Sequence, residues 1–74
     1  MLGTVYLDGQ KLKLYRVVNG ETHRSLSEKS GVSTATIYAL EKRGRNERFH
    51  PSTLTKLAEA LGVEPVELLG ETEV

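Results

Sequence analysis

Residues that begin and end helices divide this chain into short segments. Three polar residues precede segments with helical spacing, where a side-chain oxygen can accept hydrogen bonds from the first turn; these N-caps are Asp8, Thr22 and Ser33. Residues that tolerate a left-handed backbone follow the segments, at Asn19-Gly20, Gly31 and Gly62. The signals predict helices at 9–18, 23–29 and 34–42, from Pro51 or Ser52 to 61, and at 65–69. The pattern therefore favours a small all-α domain of five short helices.

Apolar side chains recur along these segments with the period of a helix. The clearest stripe consists of Leu54, Leu57, Ala58 and Leu61. Elsewhere the residues predicted to point inward are Leu12, Tyr15, Val18, Leu26, Val32, Ile37 and Leu40. A chain of 74 residues is close to the size at which a single core is just sufficient. Residues 4–7 alternate polar and apolar, which predicts a short strand or an extended arm before the first helix.

The composition excludes several classes of function. The chain has no cysteine, so it forms no disulfide and no thiolate metal site. Its two histidines, His23 and His50, stand in no metal-binding or nucleophile motif, and no phosphate-binding loop is present. We therefore expect no catalytic residue, no metal and no cofactor. No apolar run approaches the roughly 18 residues that cross a membrane, and no signal peptide is apparent, so the expected location is the cytoplasm.

Charge is unevenly distributed, although the formal net charge is zero. All ten Lys and Arg lie between Lys11 and Lys56 together with four Glu, which gives this region a net charge of +6. The last eleven residues carry four Glu and no basic residue, a charge of −4. A basic body can attract phosphate even in a neutral chain. Ordinary solvated surface charge explains the same pattern about as well.

The third predicted helix has short side chains in its first exposed turn. Thr34, Ala35 and Thr36 stand where Glu, Lys and Gln are the usual surface choice. Chance in a solvent-facing turn is one explanation. The other is that a large partner approaches this turn closely.

Two short helices joined by a tight glycine turn form a helix-turn-helix. The stretch T-H-R-S-L-S-E-K-S-G-V-S-T-A-T-I-Y-A-L-E resembles the helix-turn-helix of the phage-repressor/Cro family of bacterial regulators, also known as the xenobiotic-response-element family. L-K-L-Y-R before it and P-S-T-L-T-K-L-A-E-A-L-G-V-E-P-V-E-L-L after it are similar to that family's first, fourth and fifth helices. Two residues depart from the family pattern: Glu21, where an apolar residue is usual, and Ser27, where Ala is preferred.

The resemblance implies a domain organisation. Residues 9–69 would form a five-helix, lambda-repressor-like DNA-binding domain. Residues 1–8 would be an N-terminal strand or arm, and residues 70–74 a frayed acidic tail.

The resemblance also implies that the third helix lies in the major groove of DNA. The residues that would face bases are Thr34, Ala35, Tyr38 and Ala39. None of them offers a bidentate contact to guanine or adenine, so we expect modest direct readout and more reliance on DNA shape. The alternative is that Thr34 and Thr36 only support the helix cap.

Phosphate contacts are expected around this helix. Thr22 and His23 stand at the N-terminus of the second helix, where free N–H groups favour an anion. The further candidates are Thr36, Lys42, Arg43, Arg45 and Arg48. A solvated basic face is the alternative for the four cations.

Arg16 and Glu41 match an Arg and a Glu that the family joins between the first and third helices. Such a pair would fix the angle of the third helix. Two independent surface charges are the alternative.

The leading hypothesis is a sequence-specific regulator, a repressor, that binds a double-stranded DNA operator as a homodimer. The other is an antitoxin that neutralises a protein partner through residues 1–7 or the acidic tail. For the homodimer we expect strand pairing between copies at residues 4–7, with apolar surface such as Val66 and Leu69. The rival for residues 4–7 is an arm that follows DNA or rests on its own domain.

Overall fold

The computed structural model describes residues 5–71, and residues 1–4 and 72–74 lie outside the described part. Four α-helices form most of it: α1 Gly9–Val18, α2 His23–Ser30, α3 Thr34–Arg43 and α4 Pro51–Leu61. Three short strands accompany them: β1 Val5–Asp8, β2 Arg45–Asn46 and β3 Leu69–Glu71. A 3-10 helix, Pro65–Leu68, connects α4 to β3. No described helix is long and apolar enough to cross a membrane.

The predicted N-caps of the first three helices are confirmed. Asp8 Oδ1 accepts from Gln10 N at 2.9 Å. Thr22 Oγ1 and Ser33 Oγ do the same at the starts of α2 and α3, at 3.0 and 3.2 Å. Gly31 ends α2 with φ of 79°, in the left-handed region that glycine adopts without strain. Local signals therefore set the first three helices, and α4 has no side-chain cap but begins with Pro51 and ends at left-handed Gly62 (φ 71°).

The fifth predicted helix is corrected to a four-residue 3-10 turn. Leu69 does not continue it, because its backbone is extended (φ −100°, ψ 149°) and it pairs with Leu7 in the sheet. Runs this short commonly close with i to i+3 bonds, and Glu67 N bonds the Glu64 carbonyl in this way.

The all-α prediction is corrected by an antiparallel sheet of order β2-β1-β3. Leu7 pairs with Asn46 on one side of β1 and with Leu69 on the other. The described part of the predicted strand is thus the middle strand of its own domain, so our expectation that it pairs with a second copy is wrong; Thr4 lies outside the described residues. Gly70 and Glu71 belong to β3 rather than to a frayed tail, whereas 72–74 lie outside the described residues.

Leucines from the helices and from β1 supply most of the core. The fully buried side chains are Leu7, Leu12, Leu26, Ile37, Leu57 and Leu68. The predicted inward position of Val18 is wrong, since Val18 is 72% exposed. Six residues after Leu12, a helix has turned about 120° away from the starting face. Arg16, four residues after Leu12, takes the inward position and is buried.

The start of α1 lies directly against the end of α3. Gly9 N donates to the Gly44 carbonyl at 2.6 Å. Buried Asn46 donates through Nδ2 to the Leu7 carbonyl at 3.1 Å and to the Leu40 carbonyl at 2.8 Å. These bonds attach the C-terminal turn of α3 to both β1 and α1.

Candidate nucleic-acid interface

The outer face of α3 consists of two rows of side chains spaced one turn apart. One row is Thr34, Tyr38 and Lys42; the other is Ala35, Ala39 and Arg43. All are exposed except Ala39, which is half-buried, and Tyr38 is 59% exposed. Ile37 and Leu40 on the opposite side are buried in the core. The four residues predicted to face bases therefore lie on one accessible surface, and each row ends in a cation.

The two threonines of the first turn differ in their contacts. Ser33 Oγ donates to Thr36 Oγ1 at 2.9 Å and accepts from Thr36 N at 3.2 Å, so Thr36 does support the helix cap. Among the described residues, none forms a hydrogen bond with the Thr34 hydroxyl. The Thr34 side chain is thus available for an external contact.

A buried ionic cluster ties α3 to the first two helices. Arg16 Nε donates to Glu41 Oε2 at 2.7 Å, and Arg16 Nη2 donates to Glu41 Oε1 at 3.1 Å. The two side chains are only 9% and 7% exposed. His23 Nε2 lies 3.0 Å from Glu41 Oε1. Arg16 Nη1 also donates to the Glu21 carbonyl at 2.9 Å. The structure thus brings together the two residues that the sequence suggested as a pair, and adds His23 to them.

The ring of His23 lies flat on the ring of Tyr38. The centroids are 3.9 Å apart and the planes differ by 11°. Because the Glu41 carboxylate can only accept, Nε2 of His23 carries the hydrogen that points to it. The His23 side chain is therefore occupied on one edge and one face, and its predicted phosphate contact would depend on the backbone N–H.

The neighbouring Thr22 is exposed and differs in this respect from His23. Its hydroxyl oxygen accepts from Ser25 N, which leaves the hydroxyl hydrogen to donate to an anion.

The four cations predicted from the sequence do not form a single cluster. Arg43 and Arg48 border a groove of about 310 Å³ beside Ala35 and Ala39. Lys42 borders a second depression, of about 330 Å³, on the other side of α3. Arg45 lies on the sheet, with its guanidinium carbon 5.0 Å from the Tyr6 ring centroid and Nε 3.2 Å from Glu47 Oε2.

Lys13 is a candidate that the sequence analysis missed. It is exposed on α1 and lines the same depression as Lys42, His23 and Tyr38. The signal was present, since Lys13 is one helical turn before Arg16, whose carboxylate partner is on α3. The outer face of α3 therefore has a cation on each side: Lys13 and Lys42 on one, Arg43 and Arg48 on the other.

Glu21, a departure from the family pattern, has polar partners in the structure. Ser25 Oγ donates to its Oε1 at 2.6 Å, and Lys29 Nζ donates to its Oε2 at 3.0 Å. The Ser25 hydroxyl, followed by the Lys29 ammonium, lowers the pKa of the Glu21 carboxyl. The charge is thus satisfied at the entry to α2. Within residues 5–71, no cluster of three or more His, Asp or Glu side chains is arranged to hold a metal ion.

Comparison with known proteins gives a consistent match. A family model described as a helix-turn-helix domain matches residues 9–69. The restriction-modification controller protein C.AhdI from Aeromonas hydrophila is similar in structure, with a TM-score of 0.73 and 33% identity over 81% of this chain and 88% of that one. The hypothetical transcription factor NHTF from Neisseria gives a TM-score of 0.73 and 28% identity over 85% of this chain and 70% of that one.

A third similar structure belongs to a much longer protein. HEPD from Streptomyces albus, solved with 2-hydroxyethylphosphonate and Fe(II), has a TM-score of 0.72 and 26% identity. The match covers 90% of this chain but 17% of HEPD, so the likeness concerns a small part of that protein. No curated protein matches the chain significantly.

Proposed function

The chain belongs to the helix-turn-helix family of DNA-binding transcription regulators, of the phage-repressor/Cro type, and we propose that it is a sequence-specific repressor that binds a palindromic operator as a homodimer in the cytoplasm. The resemblance read from residues 22–41 is confirmed by the family model and by the controller protein at 33% identity. Helix-turn-helix regulators are not enzymes, and the proposal contains no catalytic step. No observation within residues 5–71 favours the antitoxin alternative.

The outer face of α3 is the observation that supports this proposal. A major groove is about 12 Å wide and admits a helix whose leading side chains are short. Thr34, Ala35 and Ala39 are short, and the face they form is solvent-accessible. The phosphates of the two strands line the rims of the groove, so a helix inside it needs cations on both sides. Lys13 and Lys42 on one side, and Arg43 and Arg48 on the other, meet that requirement.

Base contacts are assigned to the two rows of α3. The Thr34 hydroxyl and the Tyr38 hydroxyl can each exchange a hydrogen bond with a base edge. The methyl groups of Ala35 and Ala39 can contact the methyl group of thymine. With no bidentate contact in the set, DNA shape and deformability supply much of the remaining specificity.

Phosphate contacts are assigned to the four flanking cations, to Thr36, and to the N-terminus of α2. At α2 the Thr22 hydroxyl and the backbone N–H of His23 are the donors. Arg45 is a fifth cation proposed for phosphate contact and lies apart from these four, since it sits on the sheet next to Tyr6.

Salt dependence of DNA binding tests the electrostatic part of the proposal. If each of the four flanking cations meets one phosphate, log K falls with log salt with a slope of about −3.6 per subunit, at about −0.9 per contact. Alanine at any one of them reduces the slope by about 0.9 without changing the preferred sequence. Lys56→Ala is the control, because Lys56 is an exposed cation on α4 that borders a different groove. A slope near zero in fluorescence anisotropy titrations would refute the electrostatic model.

The homodimer is assigned to the surface near β3. One short helix reads only a few base pairs, so two copies on a two-fold operator are needed for useful specificity. Val66 is 68% exposed, and it borders a depression of about 370 Å³ with exposed Val5 and half-buried Leu69. β3 is also an edge strand of the sheet. An apolar patch beside a sheet edge is suited to self-association.

Light scattering on two matched variants tests this surface. Val66→Glu should yield monomers at concentrations where the wild type is dimeric. Val18→Glu is the control, since Val18 is equally exposed but lies at the end of α1 with Leu14 and Val17. Monomers from Val18→Glu, with Val66→Glu still dimeric, would move the interface to α1.

A further inference from the structure

His23 contacts α3 at two positions that are one helical turn apart. Its imidazole stacks on Tyr38 with centroids 3.9 Å apart, and its Nε2 bonds Glu41 Oε1 at 3.0 Å. His23 itself lies at the first position of α2, outside α3. Neither contact is needed to close the core, since Ile37 and Leu40 already bury the inner side of α3. The arrangement acts on the side of α3 that faces outward.

The stack determines how much freedom the Tyr38 side chain has. An exposed tyrosine with no partner samples several rotamers, and fixing it on binding costs free energy. Stacking on a neighbouring ring restricts that sampling before any ligand arrives. Tyr38 remains 59% exposed although one face of its ring is stacked on His23. The stack therefore restricts the Tyr38 side chain while leaving it exposed.

The imidazole is a firm support because its other edge is attached to a buried charge pair. Glu41 receives two hydrogen bonds from Arg16 and is 7% exposed. Nε2 of His23 donates to the same carboxylate, which fixes the ring plane as well as its position. Rotation of the imidazole would break this bond. Each side chain therefore holds the next in place: Arg16 holds Glu41, Glu41 holds His23, and His23 holds Tyr38.

We propose that His23 is a positioning residue that determines sequence specificity: its ring holds Tyr38 in one orientation on the outer face of α3 and so fixes which base the tyrosine hydroxyl reads. The inference rests on the proposed function, because it requires α3 to enter the major groove. The His23 side chain touches no base. The effect of this side chain on sequence preference reaches the DNA through Tyr38, whereas the backbone N–H of His23 is assigned to a phosphate.

Site selection from random duplex DNA, at one fixed salt concentration, tests the proposal with four variants. Tyr38→Phe keeps the stacked ring and removes the hydroxyl. His23→Gln keeps an amide donor for Glu41 and removes the ring, whereas His23→Phe keeps a ring and removes the donor. The double variant Tyr38→Phe/His23→Gln completes a cycle. Glu28→Gln is the control, since Glu28 is exposed on the same helix as His23 and pairs with Arg24 rather than with Tyr38 or Glu41.

Tyr38→Phe and His23→Gln should each lower the preference at the same base pair by about 2- to 10-fold, the range expected for the loss of one hydrogen bond to a base. The double variant should lose no more than the larger single effect. His23→Phe should retain more of the preference than His23→Gln, because it can still stack. Glu28→Gln should keep the wild-type preference at that base pair.

Two further measurements check that the variants are folded and that the stack exists in the free protein. Thermal unfolding shows that each variant is folded, and ¹H NMR of the free protein should show ring-current shifts of the His23 resonances that vanish in Tyr38→Ala. A wild-type protein without sequence preference would refute the proposed function and this inference with it. A clear wild-type preference that His23→Gln leaves intact, or weakens equally for all sequences, would refute this inference alone.

Discussion

Replacing Gly9 with alanine would place a methyl group inside the backbone of α3. A Cβ at Gly9 would overlap the Leu40 carbonyl oxygen and lie 2.9 Å from the Leu40 carbonyl carbon and 3.0 Å from Glu41 Cα. These are backbone atoms, so no side-chain rotation relieves the contact. The Leu40 carbonyl is further held by Asn46 Nδ2 at 2.8 Å. The start of α1 and the end of α3 would have to move apart.

The size of the effect follows from two opposing contributions. Alanine is favoured over glycine in a helix by up to about 1 kcal/mol. Overpacking against a fixed backbone costs about 1–3 kcal/mol, and separation of the helices weakens the 2.6 Å bond from Gly9 N to the Gly44 carbonyl, worth about 1 kcal/mol more. The balance is a loss of about 1–3 kcal/mol in the free energy of unfolding. For a domain of this size, each kcal/mol lowers Tm by about 4–8 °C.

Thermal and urea unfolding of Gly9→Ala measure this loss directly. Gln10→Ala is the control, because Gln10 is the next residue of α1 and is exposed, so only helix propensity changes. It should stay within about 0.5 kcal/mol of the wild type. A Gly9→Ala protein as stable as the wild type, or more stable, would refute the close approach of α1 to α3.

Three further predictions concern single side chains. Thr34→Ala should change the preference at one or two base positions by about 1–3 kcal/mol, whereas Lys42→Ala should weaken all sequences alike; an unchanged selection profile for Thr34→Ala would contradict its role. Glu41→Ala leaves Arg16 buried without its carboxylate and should cost about 3–5 kcal/mol in urea unfolding, while a loss below about 1 kcal/mol would show that solvent screens the pair. The lowered pKa of Glu21 means that its contribution is present above the ordinary carboxyl range, near pH 4.3, and is lost as pH falls through the folded-state pKa. The stability difference between wild type and Glu21→Gln should therefore be larger at pH 7 than at pH 3, and an equal difference at both would contradict the assignment.

The sequence predicts the four α-helices because their signals act over a few residues. Asp8 caps α1 through the amides of Gln10 and Lys11, and no distant contact is needed. The sheet, in contrast, could not be predicted from local signals. β2 has two residues and β3 has three, too few to show an alternating pattern. Their pairing with β1 depends on parts of the chain that are distant in sequence and meet only in the fold.

The predictable part of the candidate site follows the same division. The short side chains of Thr34, Ala35 and Ala39 are visible in the sequence because helical spacing places them on one face. The stack of His23 on Tyr38 is not visible in the sequence, because it joins two helices across the glycine turn and depends on their crossing geometry. Arg45 shows the opposite case. Its nearness in sequence to Arg43 and Arg48 suggested one basic loop, but β2 directs it to the sheet beside Tyr6.

The short side chains on the outer face of α3 make few contacts with the rest of the domain. The position of α3 is therefore fixed by contacts at its end and on its flank. At the C-terminal end, the Leu40 carbonyl accepts from Asn46 Nδ2, and the Gly44 carbonyl accepts from Gly9 N. On the flank nearest α2, Glu41 is bonded to Arg16 and His23. These attachments use backbone carbonyls and a buried carboxylate, none of which faces outward. Apart from Tyr38, which stacks on His23, the outer rows take little part in holding the helix. If α3 enters the major groove as proposed, substitutions in these rows should change sequence specificity more than stability.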